Sequence, residues 1–332
     1  MRPVGTIVFL STALAASVAA AQTTRVFHLI QNEKADQMFQ IATLIRSTGG
    51  IQQIWADDLQ RTVSVTGTSA ELDMAAWYVK QLDRATPPPS PQDYPVGNDD
   101  TVRMFFLAHV STSQQLQEIV TNLRAIIDIK RLFIYDTLHA VAMRGTGSQI
   151  AMATWLVNQL DQAVGVPSPA PNDYALSGDD VTHVFNLSNP RVPMETYEMV
   201  TLIRSVADIQ RIFIYNARKT IVVRTSPDHM ALTAWLVKQL DRPASTPSVT
   251  VQYTLPRGPD NIVGVFYLPN PSQERLNKAA TQVRTTARVQ RLFTYSTLGA
   301  LAVRGTLEQL ATAESGGARY RCEECGAIIK SP

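Results

Sequence analysis

Ile209-Gln-Arg-Ile-Phe-Ile-Tyr215, then Ile221-Val-Val-Arg224, then Trp235-Leu-Val-Lys-Gln-Leu-Asp241 form a phrase whose recurrence decides the fold. Its closing segment returns as Trp77-Tyr-Val-Lys-Gln-Leu-Asp83 and Trp155-Leu-Val-Asn-Gln-Leu-Asp161. A fourth copy opens with Val283-Arg284, Val289-Gln-Arg-Leu-Phe-Thr-Tyr295 and Leu301-Ala-Val-Arg304, but position 315, where Trp is due, is Ser. Arg46, Arg124, Arg204 and Arg284 stand in register at intervals of 78, 80 and 80 residues. Repeats of this kind are read before any single motif, because each copy is one structural unit.

Within a copy the hydrophobic period changes in a fixed order. Val26–Ile30 reads as a strand. Met38, Ile41, Ala42 and Ile45 then recur at helical spacing, and Gly49-Gly50 stops that helix. Gln53–Asp57 and Thr62–Thr66 alternate as two strands around the turn Asp58–Arg61. A second amphipathic helix runs from Glu71 to Leu82 with Leu72, Ala75, Ala76, Val79 and Leu82 as its stripe. The fold class predicted is α+β: tandem βαββα modules, each a three-stranded sheet with two helices on one face. The repeats fall at 24–84, 102–162, 181–242 and 263–314, the last incomplete. Proline-rich linkers at 85–101, 163–180 and 243–262 separate them. Asp99-Asp100 and Asp179-Asp180 at the linker ends read as solvated turns. Two adjacent carboxylates fall short of the roughly six to eight oxygens that calcium takes.

The 332 residues are 45% hydrophobic and 17% charged, a globular composition with room for several small domains. A net charge of +2 gives no strong field for nucleic acid. Residues 1–21 read as a secretory signal, with Arg2, an apolar stretch and Ala19-Ala20-Ala21 before the cut. The chain is therefore expected in the periplasm. Both cysteines, Cys322 and Cys325, lie in 315–332, a tail that matches no repeat, so no disulfide framework holds the repeats. Their C-x-x-C spacing is half a zinc site, and no further Cys or His follows to complete four ligands. The fourth repeat is expected to lose most of its second helix at this tail.

Alternation sorts the second strand into two faces. Ile212 and Ile214 belong under the helices, so Arg211, Phe213 and Tyr215 face the other way, with Arg224 beside them on the third strand. The second repeat matches with Arg131, Phe133, Tyr135 and Arg144, and the fourth with Arg291, Phe293, Tyr295 and Arg304. The first departs, with Gln53, Trp55 and Asp57. These arginines and aromatics form the candidate protein-contact face. Trp77, Trp155 and Trp235 are expected to pack. A basic-aromatic sheet also fits single-stranded nucleic acid, the alternative reading. The five histidines stand apart, and no H-E-x-x-H, G-x-S-x-G, P-loop or G-x-G-x-x-G occurs, so no enzyme, cofactor or metal is expected.

On these residues, above all Gln81-Leu-Asp83, Gln159-Leu-Asp161 and Gln239-Leu-Asp241, the chain resembles the short N-terminal domains of bacterial secretins. These are KH-like, ring-building periplasmic modules of secretion and pilus channels. The resemblance covers residues 24–314. It implies a non-enzymatic interaction protein that self-associates as a homo-oligomer or docks on secretion components, reaching the outer membrane only indirectly; the near-neutral charge and the export signal point to protein rather than nucleic acid as the partner. Two departures stand out. The turn Asn such domains often carry is out of register (Asn216-Ala-Arg-Lys-Thr220), and no channel-forming β domain follows the repeats, so pore formation is not implied.

Overall fold

The computed structural model describes residues 22–324 except 33, 98, 169–170, 176–179, 191, 245–248 and 269–271, with side chains in the last helix described to 315. The signal segment 1–21 and Cys325 lie outside the described residues. The architecture is α+β, with four antiparallel sheets and eight helices among the described residues. Two compact units are distinguished, 1–85 and 86–332.

The first unit holds one module. β1 (Thr23–His28), α1 (Ala35–Leu44), β2 (Gln53–Asp57), β3 (Thr62–Gly67) and α2 (Ser69–Leu82) follow the order read from sequence, with sheet order β1-β3-β2. α1 continues through a widened turn, Ile45–Gly49, and ends at Gly50 in the left-handed region at φ 81°, a conformation glycine adopts without strain. Thr68 and Glu71 close a capping box that starts α2. Val63, Val65, Met38, Ile41 and Ala75 fill the core between helices and sheet.

The second unit repeats this plan three times, with one addition. Its second module is β4 (Gln92–Val96), β5 (Asp100–Phe106), α3 (Ser113–Ile127), β6 (Arg131–Tyr135), β7 (Ala140–Thr146) and α4 (Gly147–Leu160). The third is β8 (Asp173–Ala175), β9 (Val181–Asn186), α5 (Pro193–Val206), β10 (Arg211–Tyr215), β11 (Thr220–Thr225) and α6 (Pro227–Leu240). The fourth is β12 (Val251–Thr254), β13 (Ile262–Tyr267), α7 (Gln273–Ala287), β14 (Arg291–Tyr295), β15 (Ala300–Gly305) and α8 (Leu307–Glu324).

Three expectations are corrected here. Three of the four sheets have four strands, because β4, β8 and β12 form within the proline-rich stretches and pair with the edge of β5, β9 and β13. Their shortness hid them, and Pro95 inside β4 is tolerated because β4 is an edge strand. Next, α8 runs to Glu324, well beyond Glu314, so the fourth module keeps a long second helix. Cys322 falls within that helix rather than in a zinc-type turn. Finally, Asp100 and Asp180 are not merely solvated. Arg144 Nε reaches the Asp100 carboxylate at 3.0 Å and Arg224 Nε that of Asp180 at 3.2 Å. Each aspartate balances the third-strand arginine of its own module.

Each module's core is filled by the residues that alternation assigned to the helix side. Ile212, Ile221 and Val223 pack with Met199, Ile203 and Leu236 in the third module. Leu292, Leu301 and Val303 pack with Leu276, Val283 and Leu310 in the fourth. A fully buried aliphatic side chain stabilises by roughly 1.5–3 kcal/mol, so about sixty residues can hold a module together.

Candidate functional site: the module contact face

Three elements of the phrase turn out to be struts. The register arginine ends the first helix and donates from Nη2 to a second-strand carbonyl eight residues on. Arg46 reaches Ile54 O at 3.0 Å, Arg124 Leu132 O at 3.1 Å, Arg204 Ile212 O at 2.6 Å and Arg284 Leu292 O at 2.8 Å. The second strand is a sheet edge in every module, so this bond also occupies an acceptor that would otherwise face another strand.

The aspartate of Gln-Leu-Asp clamps the loop after the module's first ladder strand. Asp83 accepts from Ile30 N and Gln31 N, both at 2.7 Å. Asp161 accepts from Ala108 N and His109 N, both at 2.8 Å. Asp241 accepts from Ser188 N at 2.9 Å and Asn189 N at 2.8 Å. Trp155 Nε1 and Gln159 Nε2 both donate to Pro171 O at 2.8 Å, fastening the proline-rich stretch along α4. Trp155 and Trp235 also lie 5.2 and 5.5 Å from Tyr174 and Tyr253 of the added strands. These tryptophans therefore pack, and what they hold is the added strand.

The Arg-aromatic face has a definite neighbour in the third and fourth modules. Phe213, Tyr215, Val184 and Val222 join the hydrophobic cluster of the second module, with Ile119, Leu123 and Ile126 of α3. Phe293, Tyr295, Val265 and Ala302 join that of the third module, with Val200, Leu202 and Val206 of α5. The face left open by the third and fourth modules' own helices is thus covered by the first helix of the module before it. In the second module Tyr135 is fully buried, Phe133 half-buried and Arg131 exposed, while Arg144 is held by Asp100.

The polar rim of this contact repeats with a 98-residue spacing. Asn216 donates to Glu118 from its backbone N and from Nδ2, each at 2.8 Å. Ser296 donates to Glu198 from N at 3.1 Å and from Oγ at 2.5 Å. Arg224 Nη1 reaches Ile126 O at 2.8 Å and Arg304 Nη1 reaches Val206 O at 3.1 Å, so each caps the carboxyl end of the preceding helix. Asp128 and Asp208 follow those helices with φ of 60° and 58° and bind Arg211 at 2.7 Å and Arg291 at 3.0 Å. Aspartate tolerates that left-handed conformation better than most residues. Sequence reading found the arginines but not Asp128 and Asp208, which bind Arg211 and Arg291, nor Glu118 and Glu198, which accept from Asn216 and Ser296.

Burial changes the chemistry of the face. It pushes the Tyr215 phenol up to about 12, with Asp161 and Glu118 adding to the rise. It pushes Tyr295 to about 12 as well. Burial also lowers the Arg304 guanidinium from its usual range, while Asp260 acts to restore it. These are properties of a contact surface. Among the described residues no group of three or more His, Cys, Asp or Glu is placed to hold a metal, and no helix is long and apolar enough to cross a membrane.

No protein-family model matches the chain, and no curated protein matches it. Solved structures similar to it include Aeromonas hydrophila ExeD, at 20% identity over 66% of this chain and 41% of that one, with a TM-score of 0.17. The N-terminal domain of the secretin XcpQ from Pseudomonas aeruginosa is 13% identical over 66% of this chain and 100% of that one, with a TM-score of 0.24. The secretin complex AspS–GspD of ETEC is 13% identical over 90% of this chain and 55% of that one, with a TM-score of 0.17. The chain thus spans less than half of the ExeD chain it resembles. Likeness at this level carries no functional inference, and the functional reading rests on the residues.

Proposed function

We propose that this chain is a non-enzymatic periplasmic protein of a secretion or pilus system, whose secretin-like modules bind other protein surfaces, including further copies of itself. The observation that carries this reading is the recurring contact in which a module's Arg-aromatic sheet face seats on the first helix of its neighbour. A fold that spends the same face twice on module-to-module binding is a docking scaffold, and repetition suits binding surfaces better than a single reaction centre. The signal-like amino terminus and the Gln-Leu-Asp signature add secretion to that reading. The nucleic-acid reading lacks a platform in the third and fourth modules, where Arg211, Arg224, Arg291 and Arg304 are already bound to protein acceptors.

The test is export and crosslinking in a Gram-negative host. The tagged chain should appear in the periplasm shortened at its amino terminus. A photocrosslinker at Trp55 should capture a secretion or pilus component or a second copy. A chain that stays in the cytoplasm, or one crosslinked to neither, would falsify the proposal.

A further inference from the structure

The same contact has two unfilled halves. On the sheet side, Val26, Ser64 and Trp55 form one cross-strand row on the face of the first module that its helices leave open. That row corresponds to Val184, Val222 and Phe213 in the third module and to Val265, Ala302 and Phe293 in the fourth. Val184, Val222, Val265 and Ala302 have no exposed surface, yet Val26 is 49% exposed and Trp55 72%. The first module keeps the apolar centre of the contact and leaves it uncovered.

On the helix side, the outer face of α7 is exposed where the outer faces of α3 and α5 are engaged. Its rim is reversed in charge. Lys278 stands where Glu118 and Glu198 stand, and Arg288 where Asp128 and Asp208 stand. Gln282 and Thr286 replace Asn122 and Ile126, or Leu202 and Val206. The sheet rim of the first module shifts toward negative charge. Asp58, like Asp136 of the second module, holds the place of Asn216 and Ser296, and the arginine positions, Arg131 and Arg144 in the second module, carry Gln53 and Thr66.

We infer that α7 of one copy receives the β1–β3 sheet face of the first module of a second copy, joining chains head to tail. Lys278 meets Asp58 in the place of Glu118 with Asn216. Trp55 takes the seat that Phe213 and Phe293 take against α3 and α5. Lys278 lies 2.7 Å from Glu274 on the exposed helix surface, so the incoming carboxylate would share its ammonium group with Glu274. An internal sheet face would instead bring Arg211 or Arg291 onto Arg288, and that repulsion selects the first module over the others. The contact is heterologous, so it closes into a ring or extends as a filament. This deepens the self-association part of the proposed function and rests on it.

The experiment is sedimentation of the purified full chain across a concentration series at low and moderate salt. The wild type should assemble with rising concentration, more strongly at low salt. Lys278→Glu and Asp58→Lys should each weaken assembly by at least about tenfold, since each places like charges together. The double variant carrying both changes should recover it. Trp55→Ala should abolish it with circular dichroism unchanged, because Trp55 is exposed in the monomer. A wild type that stays monomeric, or one whose assembly ignores all three single variants, overturns the inference. So does a Lys278-dependent capture of some other acidic protein by a monomeric chain. Periplasmic crosslinking to a secretion component alone would leave the broader function standing while this contact fell.

Discussion

Removing the Glu118 carboxylate tests whether the second and third modules hold each other as the geometry states. Glu118 accepts two hydrogen bonds of 2.8 Å from Asn216, one from the backbone N and one from Nδ2. A hydrogen bond to a charged acceptor contributes about 1.5–3 kcal/mol. Both bonds are only partly buried, so solvent screening brings the pair to the lower part of that range. Glu118→Ala should therefore cost about 2 kcal/mol. Most of that is the Asn216 N–H, which loses its acceptor. Asn216→Ala keeps that N–H and loses only the side-chain bond, about 1 kcal/mol. A double-mutant cycle isolates that bond as a coupling of about 0.5–1.5 kcal/mol.

Urea denaturation of the full chain reads these values from midpoint shifts at unchanged slope. Because the contact joins neighbours, the loss should appear as weaker coupling between modules rather than collapse of one core. The transition should broaden or split. Glu198 makes the equivalent contact with Ser296 one module along. The two changes involve different junctions, so Glu118→Ala and Glu198→Ala should add within about 0.5 kcal/mol. A coupling energy near zero together with an unchanged transition would show that the modules unfold independently and would sink the stacked-module account.

The remaining predictions concern the struts and the phenols. Tyr215 and Tyr295 have folded-state values raised to about 12, above the usual 10. Their stabilising contribution is complete below pH 10 and is lost as pH climbs toward 12. Denaturation midpoints should fall across that window alongside phenolate absorbance, and replacing both with Phe should flatten the fall. A fall unaltered by the replacements would assign it to other groups. Asp161→Ala removes the acceptor for Ala108 N and His109 N from a side chain only 10% exposed, so it should cost about 2–4 kcal/mol, and Asp161→Asn about half. Equal stability of both variants to wild type would rule out the clamp. Arg204→Leu strips the Ile212 carbonyl of its donor at a sheet edge. It should lower stability by about 1–3 kcal/mol and speed thioflavin-positive aggregation, with no change in either counting against edge protection.

What could be read from sequence was local and periodic. The order of elements in each module follows from a switch between periods of two and 3.6 residues, and strand parity separated Ile212 from Phe213 correctly. The identity of the cover over Phe213 was not legible. It depends on how two modules dock, and no residue of α3 announces itself as an acceptor until the strand arrives. The same holds for Asp161, whose partners lie 52 and 53 residues upstream. The added strands escaped notice because three to five residues beside prolines carry too little alternation to register. At the carboxyl end, a tail that matches no repeat suggested loss of the helix after Glu314, but the helix runs to Glu324.

The positions that recur and those that depart carry different information. Arg204 recurs in all four modules, and Trp235 and Asp241 in the first three, as an edge strut, a packing residue and a loop clamp. Their constancy therefore reports folding and says little about partners. The departures fall at the contact face. Glu198 becomes Lys278, Asp208 becomes Arg288, and Asn216 corresponds to Asp58. None of these changes is required by the module's own core, since all lie on the rim. Loss of charge alone would make both surfaces inert. Reversal on the helix side and loss of the rim arginines on the sheet side, where Gln53 stands for Arg211 and Arg291, instead keep these two surfaces compatible while opposing the internal ones. An array whose internal contacts use one polarity and whose free faces use the other can add copies without scrambling the order of its own modules.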